Sequence, residues 1–387
     1  MKITLKRTDE QVELVKAMAS KNRDVAYEAQ VALAEFIGPV LAKVINQAPT
    51  LSNLFSNFSF SADESPSIPM DLYYDITDED YVTVWSQAVP GGLPTNTVTP
   101  IGGEMKFTTY RLDSAVDFDK RYAQRSRMDV VSKSFTRVAQ EVLLKQERNS
   151  ASLILGALSE ASTKGRNHVI SSLNSGRLIL DDFNALLTLG KRINTAWTGG
   201  TPEGGIGGRG VTDLIVSPEI VQGLREMAYN PIATRDPDGT KISNTSATGI
   251  PATDSMREAI YSNGGIPEFY GISIMELQEM GKGQRFNKLY QALSSGQTNG
   301  FGQGHGTGSD RAGSGVFDDN DDELVIGLDK RVESMLRAVA TDSETGSEFS
   351  LVADDQYTVR QSKIGYYGSL EEGRMILDNR ALFGLVV

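Results

Sequence analysis

The end of the chain constrains the fold most, because residues 381–387 (ALFGLVV) are almost wholly apolar. Chain termini are normally mobile unless a sheet or an interface holds them. A free apolar end would leave hydrocarbon surface in water, which costs free energy. We therefore expect Leu382, Leu385 and Val387 to be packed.

The segment before this end alternates between apolar or aromatic and polar residues, the period of two that indicates a strand with one buried face. The alternating residues are Phe349, Leu351, Tyr357, Val359 and Gln361. Further short extended or mixed segments are predicted at Ile364, at Tyr366 and over residues 374–377. The last forty or so residues are therefore expected to be mainly strands.

Length and composition indicate a globular protein of two or more domains. A chain of 387 residues exceeds the size at which single cores stop growing, roughly 250 to 300 residues. The longest apolar runs fall far short of the roughly 20 residues that a membrane helix needs, so no span is predicted. The absence of cysteine excludes disulfides, thiolate nucleophiles and cysteine-ligated metals.

The formal net charge is −12, from 50 acidic and 38 basic residues. A protein that grips a nucleic-acid backbone needs clustered Lys and Arg, so a sequence-specific nucleic-acid binder is not predicted. An acidic wall avoids adhesion to DNA, and the charge is therefore compatible with a container that encloses it.

The N-terminal part has the pattern of an amphipathic helical pair. Residues Thr8 to Gln11 form a capping box. Gly38-Pro39 is expected to interrupt the helix, with a second piece ending near Gln47. The residues at helical spacing are Val12, Val15, Met18, Ala26, Ala29, Leu33, Phe36 and Ile37.

Residues 65–120 change to aromatic and β-branched residues, which predicts two long strands joined by a Pro/Gly-rich tip at residues 90–100. A long hairpin is marginal by itself in water. The strongest helix pattern follows, from Ser126 or Arg127 to about Leu158, a rod of roughly 45 Å.

The remaining elements are shorter. They are a helix over 180–194, a buried strand over 211–217, a helix that begins at Pro218, a strand over 272–277 and a Gly/Ser-rich surface insertion over 294–315.

Three patterns could carry chemistry, and each has a plainer explanation. Residues 205–210 match GxGxxG but precede a strand instead of opening a helix, so cofactor binding is not expected. The only histidines, His168 and His305, lack partner spacing for a triad or a metal centre. We predict no catalytic residue, no cofactor and no metal site.

The third pattern is an acidic segment that imitates an EF-hand count. Asp318, Asn320, Asp322 and Asp329 occupy positions 1, 3, 5 and 12, but the glycine position holds Glu323. We expect an acidic, solvated loop, with weak cation binding between subunits as the alternative.

Several segments, in order, resemble the major capsid proteins of tailed double-stranded DNA phages. Residues 213–227 resemble the strand-then-helix element of that family, and residues 321–335 resemble the strand before its closing sheet. The closing "RxxxxGxY" and "GxxVxDxRA" elements match Arg360, Gly365, Tyr366 and Tyr367, then Gly373, Arg374, Ile376, Asp378, Arg380 and Ala381. The resemblance covers roughly residues 66–387.

This resemblance implies the α+β coat fold called Hong Kong ninety-seven. Residues 1–64 would form an N-terminal arm, and residues 65–125 an extended β-hairpin loop. Residues 126–181 and 346–387 would form a peripheral domain with a long spine helix and a β-sheet. Residues 182–345 would form an axial α/β domain.

The resemblance also implies a non-enzymatic function. Many copies would form hexamers and pentamers of an icosahedral head enclosing DNA. A scaffolding protein, a portal complex and decoration or cement proteins would be partners. The protein would be made in the host cytoplasm and reside in the virion, with no membrane association. Residues proposed to contact other subunits are Trp85, Arg111, Arg125, Arg127, Arg360, Arg374 and Arg380.

Two alternatives remain open at this stage. A bacterial nanocompartment shell has the same fold, and a bound cargo enzyme would favour it. An acidic carbohydrate-active hydrolase would need aromatic platforms and a pocket, and only two Trp residues are present.

Overall fold

The chain folds into two compact units in a computed structural model. The described residues are 8–47, 50–61, 65–69, 104–163, 166–172, 178–193, 210–229, 258, 268–295, 316–330, 334–341, 348–354 and 362–387. The first unit comprises Met1–Ile68, Glu104–Ser150 and Met335–Met375, and the second comprises Pro69–Gly103, Ala151–Ser334 and Ile376–Val387. These divisions fall at other positions than the domain boundaries expected from the sequence, and the assignments to arm, loop, peripheral and axial domains stay predictions.

The described residues contain both helices and strands, which confirms the α+β class. The helices are α1 (Asp9–Ala17), α2 (Arg23–Gln47), α3 (Lys120–Gln124), α4 (Met128–Ser159), α5 (Leu180–Ile193), α6 (Pro218–Tyr229) and α7 (Arg285–Ser294). Short 3-10 helices are formed by Leu51–Leu54 and Asn379–Ala381. No helix in this described part is long and apolar enough to cross a membrane.

The strands form two main sheets and two short ladders. They are β1 (Ser56–Ser61), β2 (Ser67–Pro69), β3 (Glu104–Lys106), β4 (Thr109–Asp119), β5 (Ser162–Thr163), β6 (Arg166–Asn167), β7 (Val169–Ser171), β8 (Asp213–Val216), β9 (Glu268–Phe269), β10 (Ile272–Glu276), β11 (Leu324–Leu328), β12 (Met335–Thr341), β13 (Ser350–Asp354), β14 (Lys363–Ile376) and β15 (Leu382–Val386). The pair β2 and β3 forms one ladder and β5 and β6 the other. The rest of the expected hairpin, including its tip at residues 90–100, lies outside the described residues.

The first unit is organised around strand β14, which is 14 residues long. Its sheet has the order β1-β12-β14-β13, and β4 also pairs with β14. Ile364, Tyr366 and Leu370 project from one face of β14 and are buried. They pack with side chains of α1, α2 and α4, and the ring of Phe135 on α4 meets Tyr366 edge-on at 5.2 Å.

The second unit contains a six-stranded sheet of order β7-β15-β11-β8-β10-β9. All five residues of β15 are buried between the antiparallel neighbour β11 and the parallel neighbour β7. Leu382 and Leu385 are 0% exposed and Val387 is 1% exposed. The expectation that the apolar end of the chain is packed is confirmed.

Several elements expected from periodicity are confirmed within one to three residues at their ends. These elements are α4, α5, β8, α6 with Pro218 at its first position, and β10. Each of these elements carries both its apolar periodicity and its end signals within one short stretch of sequence.

Two expectations about continuity were wrong. Helix α2 continues through Gly38 and Pro39 to Gln47. Proline removes one helical hydrogen bond, but Glu35, whose carbonyl loses that partner, lies on the exposed side where water can replace it. Likewise, the short segments expected over 364–377 are one strand, because β4 pairs with β14 from Lys363 to Gly373 without interruption.

The absence of a side chain at Gly368 allows the ring of Phe349 to pack against β14 in the core of the first unit. A Cβ atom at this position would lie 2.5 Å from Cζ of Phe349, whose side chain is 2% exposed.

Gly368→Ala is therefore expected to lower the free energy of unfolding by about 1–3 kcal/mol through overpacking. Gly223→Ala in α6 is the matched control. Nothing lies within 4 Å of its added methyl, so it is expected to raise stability by roughly 0.5–1 kcal/mol. Chemical denaturation measures both, and equal effects would contradict this packing.

Candidate intersubunit surface

Helix α2 has apolar residues on two adjoining faces, one buried and one exposed. The inner side is buried in the core of the first unit, with Ala29, Leu33, Ile37 and Leu41 at intervals of four residues. The other side carries Val25 (43% exposed), Phe36 (53%) and Val40 (40%), together with exposed Ala32. We call these four residues the outer stripe.

The spacing of the outer stripe places its residues in one row. The intervals are seven, four and four residues, which at 3.6 residues per turn keeps them on one face of the helix. Exposed Glu28 and Glu35 lie beside the row, and exposed Lys43 lies at its C-terminal end. An apolar centre with a polar rim is the usual composition of a protein–protein interface.

Phe36 corrects the reading of the helical spacing. Its apolar character placed it with Leu33 and Ile37 in the sequence pattern, but it is exposed. Ile37 occupies the inner face, and adjacent residues on a helix point about 100° apart. The sequence contained a signal for this exposure, because α2 has more apolar residues than one buried face of a helix can hold.

Among the residues predicted as intersubunit contacts, the described ones of the first unit lie in three different places. Trp85 and Arg360 lie outside the described residues. Arg125 and Arg127 are exposed in the turn between α3 and α4, where Ser126 has a φ of 50°. Their role between subunits stays a prediction.

Arg111 and Arg374 lie on opposite faces of the β4–β14 ladder. Arg111 is on the outer face, where its Nε is 2.8 Å from Oδ1 of Asp113 and its guanidinium is 5.8 Å from the centre of the Tyr367 ring. Both members of this ion pair are about half exposed. Arg374 shares the parity of Tyr366 and therefore faces inward, where its side chain is 3% exposed.

Arg374 belongs to a buried charged cluster centred on Glu372, which is fully buried. The Glu372 Oε2 accepts hydrogen bonds from Nε of Arg337 at 2.9 Å and Nε2 of Gln146 at 3.0 Å. Its Oε1 accepts from the Tyr110 hydroxyl at 2.8 Å and lies 3.1 Å from Nη2 of Arg374. The cluster thus connects β4, α4, β12 and β14.

Further hydrogen bonds of Arg374 extend the cluster to the short helix before β1. Its Nη2 donates to Oγ of Ser52 and its Nη1 to the carbonyl of Gln146, both at 2.9 Å. Burial, aided by the negative charge of Glu372, raises the pKa of Tyr110 to about 12. The phenol therefore keeps its proton at neutral pH and remains a donor to Glu372.

A signal for this cluster was present in the sequence. Leu370, Glu372 and Arg374 alternate with the outward residues of β14, so a strand with Tyr366 in the core also turns Glu372 and Arg374 inward. The sequence did not show that the carboxylate would be compensated by Arg337, which is 35 residues earlier in the chain.

Arg380 closes a turn of the second unit. Its Nε and Nη2 are each 2.8 Å from Oδ2 of Asp378, and the Asp378 side chain also caps the backbone N–H of Arg380. Beside this turn, Nδ1 of the fully buried His168 donates to the carbonyls of Asn379 at 3.1 Å and Leu382 at 3.0 Å. Burial lowers the pKa of His168, and the two carbonyls oppose this shift.

The acidic EF-hand-like segment is not the solvated loop expected from the sequence. Asp322 and Asp329 are buried, and Oδ2 of Asp322 accepts a hydrogen bond from the backbone N–H of Asp318 at 3.0 Å. Glu323, at the position of the missing glycine, accepts from Oγ of Ser217 at 2.6 Å, and its pKa is raised by burial. These carboxylates satisfy internal donors. Among the described residues, no group of three or more His, Cys, Asp or Glu could hold a metal ion.

Comparisons with known proteins give structural similarity only. The sequence matches no protein-family model and no curated protein. The structure is similar to the capsid of cyanophage P-SCSP1u, with a TM-score of 0.45 and 14% identity over 86% of each chain. It is similar to the holo-SrpI encapsulin complex of Synechococcus elongatus PCC 7942, with a TM-score of 0.43 and 13% identity over 87% of this chain and 85% of the other.

A third similar structure is a virus-like particle from Pyrococcus furiosus, with a TM-score of 0.42 and 14% identity over 92% of this chain and 100% of the other. Phage capsids and encapsulin or virus-like shells are thus among the structures that this chain resembles. All three TM-scores are below 0.5, so these similarities carry no argument about function.

The Glu372 cluster predicts an unequal effect of two carboxylate substitutions. Glu372→Gln leaves Arg337 and Arg374 buried without their counter-charge, and is expected to lower the free energy of unfolding by about 3–5 kcal/mol. Asp113→Asn breaks an exposed pair and is expected to cost about 0–1 kcal/mol. Chemical denaturation measures the difference. A loss below about 1 kcal/mol for Glu372→Gln would show that the cluster does not depend on its carboxylate.

His168 predicts a pH dependence of stability. Because its pKa is lowered in the folded protein, the unfolded state takes up the proton first as the pH falls. Stability is therefore retained above about pH 6.5 and lost below it, by at most about 1.4 kcal/mol per pH unit for this group. His168→Asn keeps a donor for the two carbonyls but cannot titrate. Unfolding curves from pH 7.5 to 5 are expected to show a smaller decline for this variant, and parallel declines would exclude His168 as the cause.

Proposed function

We propose that this chain is the major capsid protein of a tailed double-stranded DNA phage, with the Hong Kong ninety-seven type of fold. One observation carries the proposal, namely the outer stripe of α2, an apolar surface that one copy leaves exposed. The ordered sequence resemblance over residues 66–387 supports the same function. Many copies would assemble into hexamers and pentamers of an icosahedral shell.

The outer stripe gives this assembly a physical basis. Burial of exposed apolar side chains is favourable at about 25 cal/mol per Å². A stable interface buries about 800 Å² per partner, which is more than four side chains of one helix supply. The predicted loop at residues 65–125 and the exposed residues Arg111, Arg125 and Arg127 are proposed to provide further contact area.

The proposed role is mechanical, without an enzymatic reaction. Residues 1–64 would be the arm, residues 126–181 and 346–387 the peripheral domain, and residues 182–345 the axial domain. The net charge of −12 supports enclosure of DNA without sequence-specific binding. A scaffolding protein, a portal complex and decoration proteins are the proposed partners. The protein would be made in the host cytoplasm and would reside in the virion shell.

The outer stripe predicts a selective assembly defect. Phe36→Asp places a charge in the centre of the stripe and is expected to abolish closed particles in negative-stain electron microscopy. The isolated subunit is expected to keep its melting temperature, because the Phe36 side chain is 53% exposed. Glu28→Gln, on the same helix but beside the stripe, is the control and is expected to assemble normally. Normal particles from Phe36→Asp would overturn the role of the stripe.

The contents of purified particles test the kind of shell. Particles from infected or lysogenic cells that contain double-stranded DNA support the phage capsid. Particles that contain a cargo enzyme and no DNA would instead identify a nanocompartment shell.

A further inference from the structure

The turn between β9 and β10 contains an exposed tyrosine in a strained conformation. The register pairs Phe269 with Ile272, so Tyr270 and Gly271 form a two-residue hairpin turn. Their φ values are 55° and 76°. A turn with two positive φ values strongly favours Asn-Gly, and a bulky side chain at a positive φ is a genuine outlier.

The side chain of Tyr270 is directed mostly toward solvent. Its ring meets that of Phe269 edge-on at 4.8 Å and lies 5.8 Å from the ring of Phe183, yet the residue is 60% exposed. Glu268, which precedes Phe269 on β9, is also exposed. Local strain at an exposed residue is a recognised mark of functional sites, and tyrosine is enriched in interfaces. We call Glu268 and Tyr270 the acidic tip.

A second local conflict occurs at the start of α7. Lys282, Arg285 and Lys288 are exposed at intervals of three residues. The first turn of this helix contains no acidic residue. Cations at a helix N-terminus face the positive end of the helix dipole, which is unfavourable. No ion pair between described residues involves Arg285 or Lys288, whereas the charge of Lys282 interacts with the Glu323 carboxylate. We call them the basic face.

We propose that the acidic tip of one copy docks on the basic face of the next copy. The inference rests on the proposed function and names a contact within it. Glu268 would pair with Arg285 or Lys288, and an arginine guanidinium would cover the Tyr270 ring, a favourable cation–aromatic arrangement. Both features conflict with the fold of a single chain, and the contact gives each a compensating partner.

The net charge of the chain makes the basic face distinctive. Copies that each carry a charge of −12 repel one another. The basic face of one copy is complementary in charge to Glu268 of another, although the two whole molecules repel each other. The two patches are different surfaces, so the contact is head-to-tail. Such contacts form closed rings when the rotation between copies closes.

A charge-exchange experiment on the full-length protein tests the contact. Light scattering and electron microscopy measure the lowest protein concentration at which rings or shells form. Glu268→Lys and Arg285→Glu are each expected to raise that concentration about tenfold or more, because like charges then meet. The double variant is expected to return to within about threefold of the unmodified protein, since the exchanged charges are complementary again. Lys191→Glu, at another exposed cation of the second unit, controls for the added negative charge.

Tyr270→Asn provides an independent measurement. Asn suits the positive φ of the turn, so the melting temperature of dissociated subunits is expected to stay or rise, while the assembly concentration rises severalfold. A lower melting temperature with unchanged assembly would assign Tyr270 to packing within the chain and overturn its interface role.

The outcomes separate this contact from the proposed function. If the unmodified protein forms no shells, the proposed function fails. If it forms shells and both single charge variants assemble equally well, or the double variant shows no recovery, only the contact is overturned. Unchanged assembly of Arg285→Glu with loss of retained DNA would assign the basic face to nucleic acid and also overturn the contact.

Discussion

The buried carboxylate of Glu372 is the interaction on which the first unit depends. It joins Tyr110 on β4, Gln146 on α4 and Arg337 on β12, and its own strand contributes Arg374. Packing alone could place these elements together in several registers, whereas directional bonds to one carboxylate define the register. Two buried arginines face one glutamate, so removal of this carboxylate would leave two buried positive charges without a counter-charge.

The core of the first unit is well packed, but part of its apolar surface remains exposed to solvent. Strand β14 and helix α4 pack in the same core as the inner face of α2, whereas Val25, Phe36 and Val40 of the outer stripe stay about half exposed in one copy. The acidic tip and the basic face show the same property in the second unit, since each tolerates a local conflict that the single chain does not relieve. A protein with exposed apolar residues and charges that a second copy can cover or pair is suited to assembly with other copies. This is the physical link between the fold and the proposed shell.

Local patterns in the sequence predicted those elements whose causes are local. Helix α4, the β8–α6 unit with Pro218, and the packed apolar end needed only periodicity, a turn residue and hydrophobicity. Continuity through Pro39 and the single long β14 depend on solvent access and on a neighbouring strand, which a local window does not contain. Arg374 was predicted at a subunit contact, but it is buried. Its charge is compensated by Glu372 on its own strand, and its guanidinium donates to Gln146 and Ser52, which are far away in sequence. The inward position of Asp322 has a local cause instead, because its carboxylate accepts a hydrogen bond from the backbone N–H of Asp318, four residues earlier.

A cryo-electron microscopy reconstruction of the purified protein tests directly whether the outer stripe is a contact between copies. Closed polyhedral particles are expected, in which another copy covers Val25, Phe36 and Val40 of each subunit. A protein that remains monomeric at high concentration, or shells in which these three side chains face solvent, would contradict this contact.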